Sequence, residues 1–269
     1  MDESQRRAWR ALGLGPEWAA RGAVIGRAGV PPRLDEGSGF PPEIVGEPAP
    51  APAPDEADPV PGGELPPSGA PSPDRQRAIE IAALDWQPLR DRVAGCTACG
   101  LCRTRSRTVF GAGATRARWM LVGEAPGAEE DARGEPFVGK AGQLLDSMLG
   151  AIGLDRSSDV FIANVLKCRP PRNRDPLPEE VAACEPFLLR QLELVSPDVV
   201  LVLGRFAAQS VLGTDASIAS LRGRIHRKEV GGRAIPLVVS YHPAYLLRTP
   251  ADKSKSWADL LLARRVAAG

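Results

Sequence analysis

Histidine is nearly absent from this chain of 269 residues: His226 and His242 are the only two. Aromatic residues make up 5%, so a core must be built mainly from aliphatic side chains, which are plentiful. No stretch is long and apolar enough to span a bilayer, which excludes a helical membrane protein. The opening Met1–Arg10 is charged and polar with no apolar signal region behind it, so a cytoplasmic, nucleoid-associated protein with no membrane partner is expected. No internal repeat is present, which argues against solenoids and propellers. Net charge is also scarce, at +1, but it is unevenly spread: residues 1–76 sum to −5 and residues 77–269 to +6. A basic body permits a polyanionic partner without requiring one.

The composition divides the chain into three parts. Residues 1–29 hold Trp9 and Leu12 at helical spacing; the segment reads as a frayed tail, with a short helix able to dock on a protein partner as the alternative. Residues 30–77 are rich in Pro, Gly, Ala and Glu, and are expected to be a disordered linker because they cannot bury enough apolar surface to offset ordering. Residues 78–269 have the texture of a folded, monomeric domain.

In that domain short apolar runs alternate with amphipathic stretches. Asp85 is a candidate cap for a helix burying Leu89 and Val93. Strands are expected at 119–122, 160–164, 199–203 and 235–240, and helices at 141–152, 179–194, 206–212 and 257–266. The fold class that follows is α/β, a three-layer α/β/α sandwich around a mostly parallel four-stranded sheet. Ligands of such sheets bind beyond the carboxyl ends of the strands. Three of those ends run into Gly123-Glu-Ala-Pro-Gly127, Asn164 and His242-Pro243, a convergence that marks a functional cleft.

Five cysteines in a reducing compartment point to metal or catalysis rather than disulfides. Cys96 and Cys99 are spaced to chelate one centre, Cys102 repeats the spacing, and Cys168 and Cys184 form a second pair. Four thiolates suit a tetrahedral zinc or a cubane cluster, and the spacing does not choose between them.

Read in order, Cys96-Thr-Ala-Cys99, Gly123-Glu-Ala-Pro-Gly127, Pro136-Phe-Val-Gly-Lys-Ala-Gly-Gln143, Asn164-Val-Leu-Lys-Cys-Arg-Pro-Pro171, Cys184 and His242-Pro-Ala-Tyr-Leu-Leu-Arg248 resemble the family-four uracil-DNA glycosylases, the iron–sulfur branch of that superfamily. The resemblance covers about Cys96 to Arg248 and leaves residues 1–85 outside. It implies a [4Fe–4S] cluster held by Cys96, Cys99, Cys168 and Cys184, with Cys102 spare, and a substrate of uracil-containing DNA.

Cleaving the N-glycosidic bond of uracil leaves charge on the departing base and requires that the base be flipped into a pocket. Phe137 is the candidate stacking surface, and Asn164 the amide that reads the O4/N3 edge as both acceptor and donor. His242 is the candidate donor to O2. Gly123 and Gly127 permit close backbone approach, with Glu124 and Ala125 presenting backbone groups to the base. Ala125 stands where the family-one pattern has a water-activating aspartate, so Glu130 is the candidate replacement, either to orient water or to exclude the thymine methyl. Leu246 is the candidate wedge that fills the vacated stack. Arg169, Arg172, Arg174 and Arg248 are candidate phosphate ligands.

The expected enzyme is a monofunctional hydrolase of base-excision repair that leaves an abasic site, since no lysine stands out as a Schiff-base nucleophile. A branch that traps uracil on a histidine in a basic insert is disfavoured, because Lys167–Arg174 contains no histidine. A thioredoxin-like redox pair is disfavoured because no strand precedes Cys99. The alternative from another class is a non-catalytic DNA-binding or damage-sensing module stapled by four cysteines.

Overall fold

The computed structural model describes residues 72–268. The expected N-terminal tail or docking helix and nearly all of the expected linker lie outside that range. The linker boundary at residue 77 is too late. Helix α1 already spans Pro73–Ala82, with the Ser72 hydroxyl accepting the Arg75 amide and proline inside the first turn. Helix α2, Trp86–Ala94, follows Asp85 as expected and buries Leu89 and Val93, although the Asp85 side chain makes no capping bond.

The sheet has six strands in the order β1-β3-β2-β4-β6-β5, two more than expected. The four central strands are parallel: β2 (Trp119–Gly123), β3 (Val160–Asn164), β4 (Val199–Leu203) and β6 (Arg233–Ser240). Every residue of β2, β3 and β4 is buried, as strands covered on both faces require. The two extra strands are antiparallel edges, the two-residue β1 (Ala112–Gly113) and β5 (Ile225–Val230). Strand β5 alternates exposed and half-buried residues, so it carries no continuous apolar signal.

One face of the sheet packs on α1, α2, α5 (Pro178–Val195) and α6 (Arg205–Leu212), through Met120, Phe161, Phe187 and Val200. The other packs on α4 (Lys140–Ala151) and α9 (Lys253–Ala268), through Leu121, Leu145, Val238 and Leu260. Two short helices, α3 (Ala128–Arg133) and α8 (Pro243–Arg248), sit in the loops that leave β2 and β6. A four-residue helix, α7 (Ile218–Leu221), precedes β5. No helix among the described residues is long and apolar enough to cross a membrane.

Candidate active site and cysteine centre

The parallel register decides which residues meet. Gly123 at the end of β2 pairs with Asn164 at the end of β3, and Leu203 at the end of β4 pairs with Ser240, two residues before His242. The loops leaving these strands enclose a cleft of about 1090 Å³, lined among others by Glu124, Ala125, Gly127, Glu130, Phe137, Asn164, His242 and Arg248. Gly123 lies against two of these residues, Asn164 and Phe137. A Cβ there would come within 2.4 Å of Asn164 Oδ1 and 2.8 Å of the Phe137 ring, so only glycine lets the two side chains converge.

Asn164 is 2% exposed, and its amide makes no side-chain hydrogen bond among the described residues. The residue lines the open cleft, where its amide is available to a ligand. Phe137 lies against His242 with ring centroids 5.3 Å apart and planes 27° from parallel. His242 is the N-cap of α8, and its Nδ1 accepts the Ala244 amide at 3.1 Å. That bond places the proton of the neutral ring on Nε2. Burial and then the nearby positive charge of Arg248 push the imidazole down to about 4, against a smaller opposing pull from Glu130. At neutral pH His242 is therefore an uncharged Nε2–H donor. Burial, and secondarily Asp175, raises the carboxyl of Glu124 at the mouth of the cleft.

The structure gives three expected residues different tasks. The Glu130 carboxylate accepts the amides of Gly127 at 3.1 Å, Val138 at 3.0 Å and Gly139 at 3.3 Å. It clamps the Gly123–Gly127 loop to the Phe137 loop, which suits a positioning residue better than a water-activating base. Leu246 is 1% exposed and packs beneath α8 with Trp257 and Leu260, whereas its neighbour Leu247 is 44% exposed. A wedge must be free to enter DNA, and in this structure it is Leu247, not the expected Leu246, that is exposed. Arg174 is not free for phosphate either: its guanidinium is held in a two-pronged pair by the buried Glu180, at 2.6 and 2.9 Å.

Of the remaining arginines, Arg169 is tied to Asn173 at 2.7 Å. Arg172 and Arg248 are exposed and make no ion pair among the described residues. Two residues that the sequence reading did not single out also belong to the site. Asn173, with a left-handed φ of 55°, lines the cleft. Lys167, 1% exposed, donates from Nζ to Asn164 O at 2.7 Å and Gln191 Oε1 at 2.6 Å, and so braces the strand end that carries Asn164. A buried lysine beside a cysteine was the available signal.

All five cysteines line a second pocket of about 340 Å³, between α2 and α5. Among the described residues, no three His, Cys, Asp or Glu side chains are gathered as a single ion would gather them. Four thiols around one pocket suit either a tetrahedral zinc or an iron–sulfur cluster. The donor set also fits an anionic centre. The Lys167 amide donates to Cys184 Sγ at 3.2 Å, and Arg105 to Cys168 Sγ at 3.1 Å. Burial pushes the Cys184 thiol up to about 12, and raises Cys168 and Cys99 as well, so a bound metal's charge is what would make them thiolates.

Residues 110–261 match the model of the uracil DNA glycosylase superfamily. Among curated proteins, the chain is 47% identical over 171 residues to a type-4 uracil-DNA glycosylase of Archaeoglobus fulgidus, covering 62% of this chain and 85% of that one. It is 46% identical over 180 residues to the type-4 enzyme of Thermotoga maritima, covering 66% and 88%. It is 40% identical over 183 residues to that of Pyrobaculum aerophilum, covering 66% and 93%. The cleft at the strand ends, the cysteine pocket beside it and these similarities agree: the chain belongs to the uracil-DNA glycosylase superfamily, in its type-4 family.

Proposed function

We propose that this protein excises uracil from DNA by hydrolysing the N-glycosidic bond and leaves an abasic site for base-excision repair. The observation that carries this reading is the Asn164 amide, free of side-chain hydrogen bonds among the described residues, in one cleft with Phe137 and a neutral His242. The flipped base stacks on Phe137, Asn164 reads its O4 and N3–H, and His242 donates from Nε2 as charge develops on O2. The amides of the Gly123–Gly127 loop, held by Glu130, border the base. Ala125 follows Glu124, so water is held without a dedicated aspartate there, and with no lysine amine among the described residues that line the cleft the strand is left uncut.

Cys96, Cys99, Cys168 and Cys184 would hold a [4Fe–4S] cluster, which supplies a structural tie between α2 and the segment after β3. Arg172 and Arg248 contact phosphates, and each contributes about one unit to the salt dependence of binding. Leu247 is the wedge. Leu247→Ala is expected to slow release from double-stranded DNA about 10-fold more than from single-stranded DNA, with stability unchanged. Leu246→Ala is expected to cost about 2–5 kcal/mol of stability, the range for a buried leucine. Denaturant unfolding beside single- and double-strand assays checks the pair.

The reading is tested by anaerobic purification and a release assay on a uracil oligonucleotide beside its thymine counterpart. Free uracil and abasic sites from the first strand alone support it, with brown protein absorbing near ~400 nm supporting the cluster. Brown protein with no release favours a binding module.

A further inference from the structure

We infer that Arg156 is a positioning residue for excision, acting through Phe137. Arg156 lies in the turn between α4 and β3, outside the cleft motifs, and does not line the cleft. Its guanidinium reaches back across that turn. Nη1 donates to the Phe137 carbonyl at 2.9 Å and to Asp146 at 3.0 Å, and Nη2 donates to the Pro136 carbonyl. Both carbonyls flank the backbone that carries the aromatic ring.

That backbone needs holding. Phe137 has φ of 53°, a left-handed conformation that a bulky side chain adopts only when its surroundings enforce it. Helix α4 leaves room for it: a Cβ on Gly142 would come within 1.8 Å of the Phe137 oxygen. The conformation turns the ring under Gly123 and against His242. Arg156 is the one side chain among the described residues that hydrogen-bonds the Phe137 carbonyl. The planar fork of a guanidinium suits two adjacent carbonyls, which lysine, a single point charge, cannot reproduce. Without it the Pro136–Phe137 unit can relax toward an ordinary φ and carry the ring away from the base.

This inference rests on the cleft being the uracil site. It is tested by a double-mutant cycle of Arg156→Met and Phe137→Ala, read as single-turnover uracil release with enzyme in excess, alongside melting temperatures. Arg156→Met alone is expected to slow release about 10- to 100-fold, the scale of an ångström-sized misplacement. In the Phe137→Ala background the same change is expected to cost less than about twofold, because the ring it positions is gone. Equal losses in both backgrounds, or no loss in either, would overturn the inference. Should Arg156→Met fail to fold, Arg156→Lys takes its place in the same cycle. Absence of release by the unaltered protein would instead overturn the reading of the cleft.

Discussion

Substituting His242 by asparagine is expected to lower the single-turnover rate of uracil release by about 10²- to 10³-fold, the usual cost of removing a donor aimed at developing negative charge. Asparagine is the informative choice because the residue has two tasks. Its Nδ1 caps α8 through Ala244, and its Nε2–H faces the cleft. Asparagine is a good N-cap and preserves the first task, whereas its shorter side chain cannot perform the second. His242→Ala loses both, and is expected to add about 1 kcal/mol of destabilisation to the same kinetic loss. The pH profile has a defined sign. Burial and Arg248 hold His242 down to about 4, so the ring is neutral throughout the physiological range. Its contribution to kcat/KM is expected to stay flat as pH falls from 8 to 5 and to change only near 4. A limb at the ordinary histidine value, about 6.5, would contradict a neutral donor.

Asn164→Asp is expected to be as severe and to change specificity. The amide offers both an N–H donor for O4 and a carbonyl acceptor for N3–H of uracil. A carboxylate only accepts, and its negative charge would face O4. Uracil release is expected to fall about 10³-fold or more, in line with the discrimination available to a site built around specific hydrogen bonds. Cytosine carries an amino donor in place of O4, so slow cytosine release is expected to appear. Asn164→Ala removes the reader without supplying a new one, and should lose uracil release with no gain on cytosine. The comparison of uracil, cytosine and thymine strands checks all three outcomes. Loss on uracil with no difference between Asp and Ala would mean that Asn164 supports the strand end rather than reading the base.

The central strands were legible because each is built on a short apolar run, and β3 and β4 match their expected bounds. The edges were not. Strand β1 is two residues long, and β5 carries four polar or charged residues in a row between Ile225 and Val230. The cleft motifs were legible because they stand at strand ends, where a parallel sheet gathers its loops. What failed was side-chain direction within those loops. The six-residue α8 turns Leu246 inward and Leu247 outward, a phase that counting from His242 did not reveal. Arg174 looked free until α5 brought Glu180 beside it, and Glu130 until α3 turned its carboxylate onto the amides of two loops. Arg156 lies outside every motif, because its role depends on two backbone carbonyls roughly twenty residues away, which leave no local trace. The cysteine spacing marked a metal-type pocket, and the structure gathers all five cysteines around it.

The most direct test of the central claim is release of free base by the anaerobically purified full chain from matched oligonucleotides containing uracil or thymine, with His242→Asn in parallel. The account predicts uracil and an intact strand bearing an abasic site, nothing from thymine, and a loss of about 10²-fold or more in the variant. Release that is unaffected by His242→Asn, or equal from thymine, would contradict it.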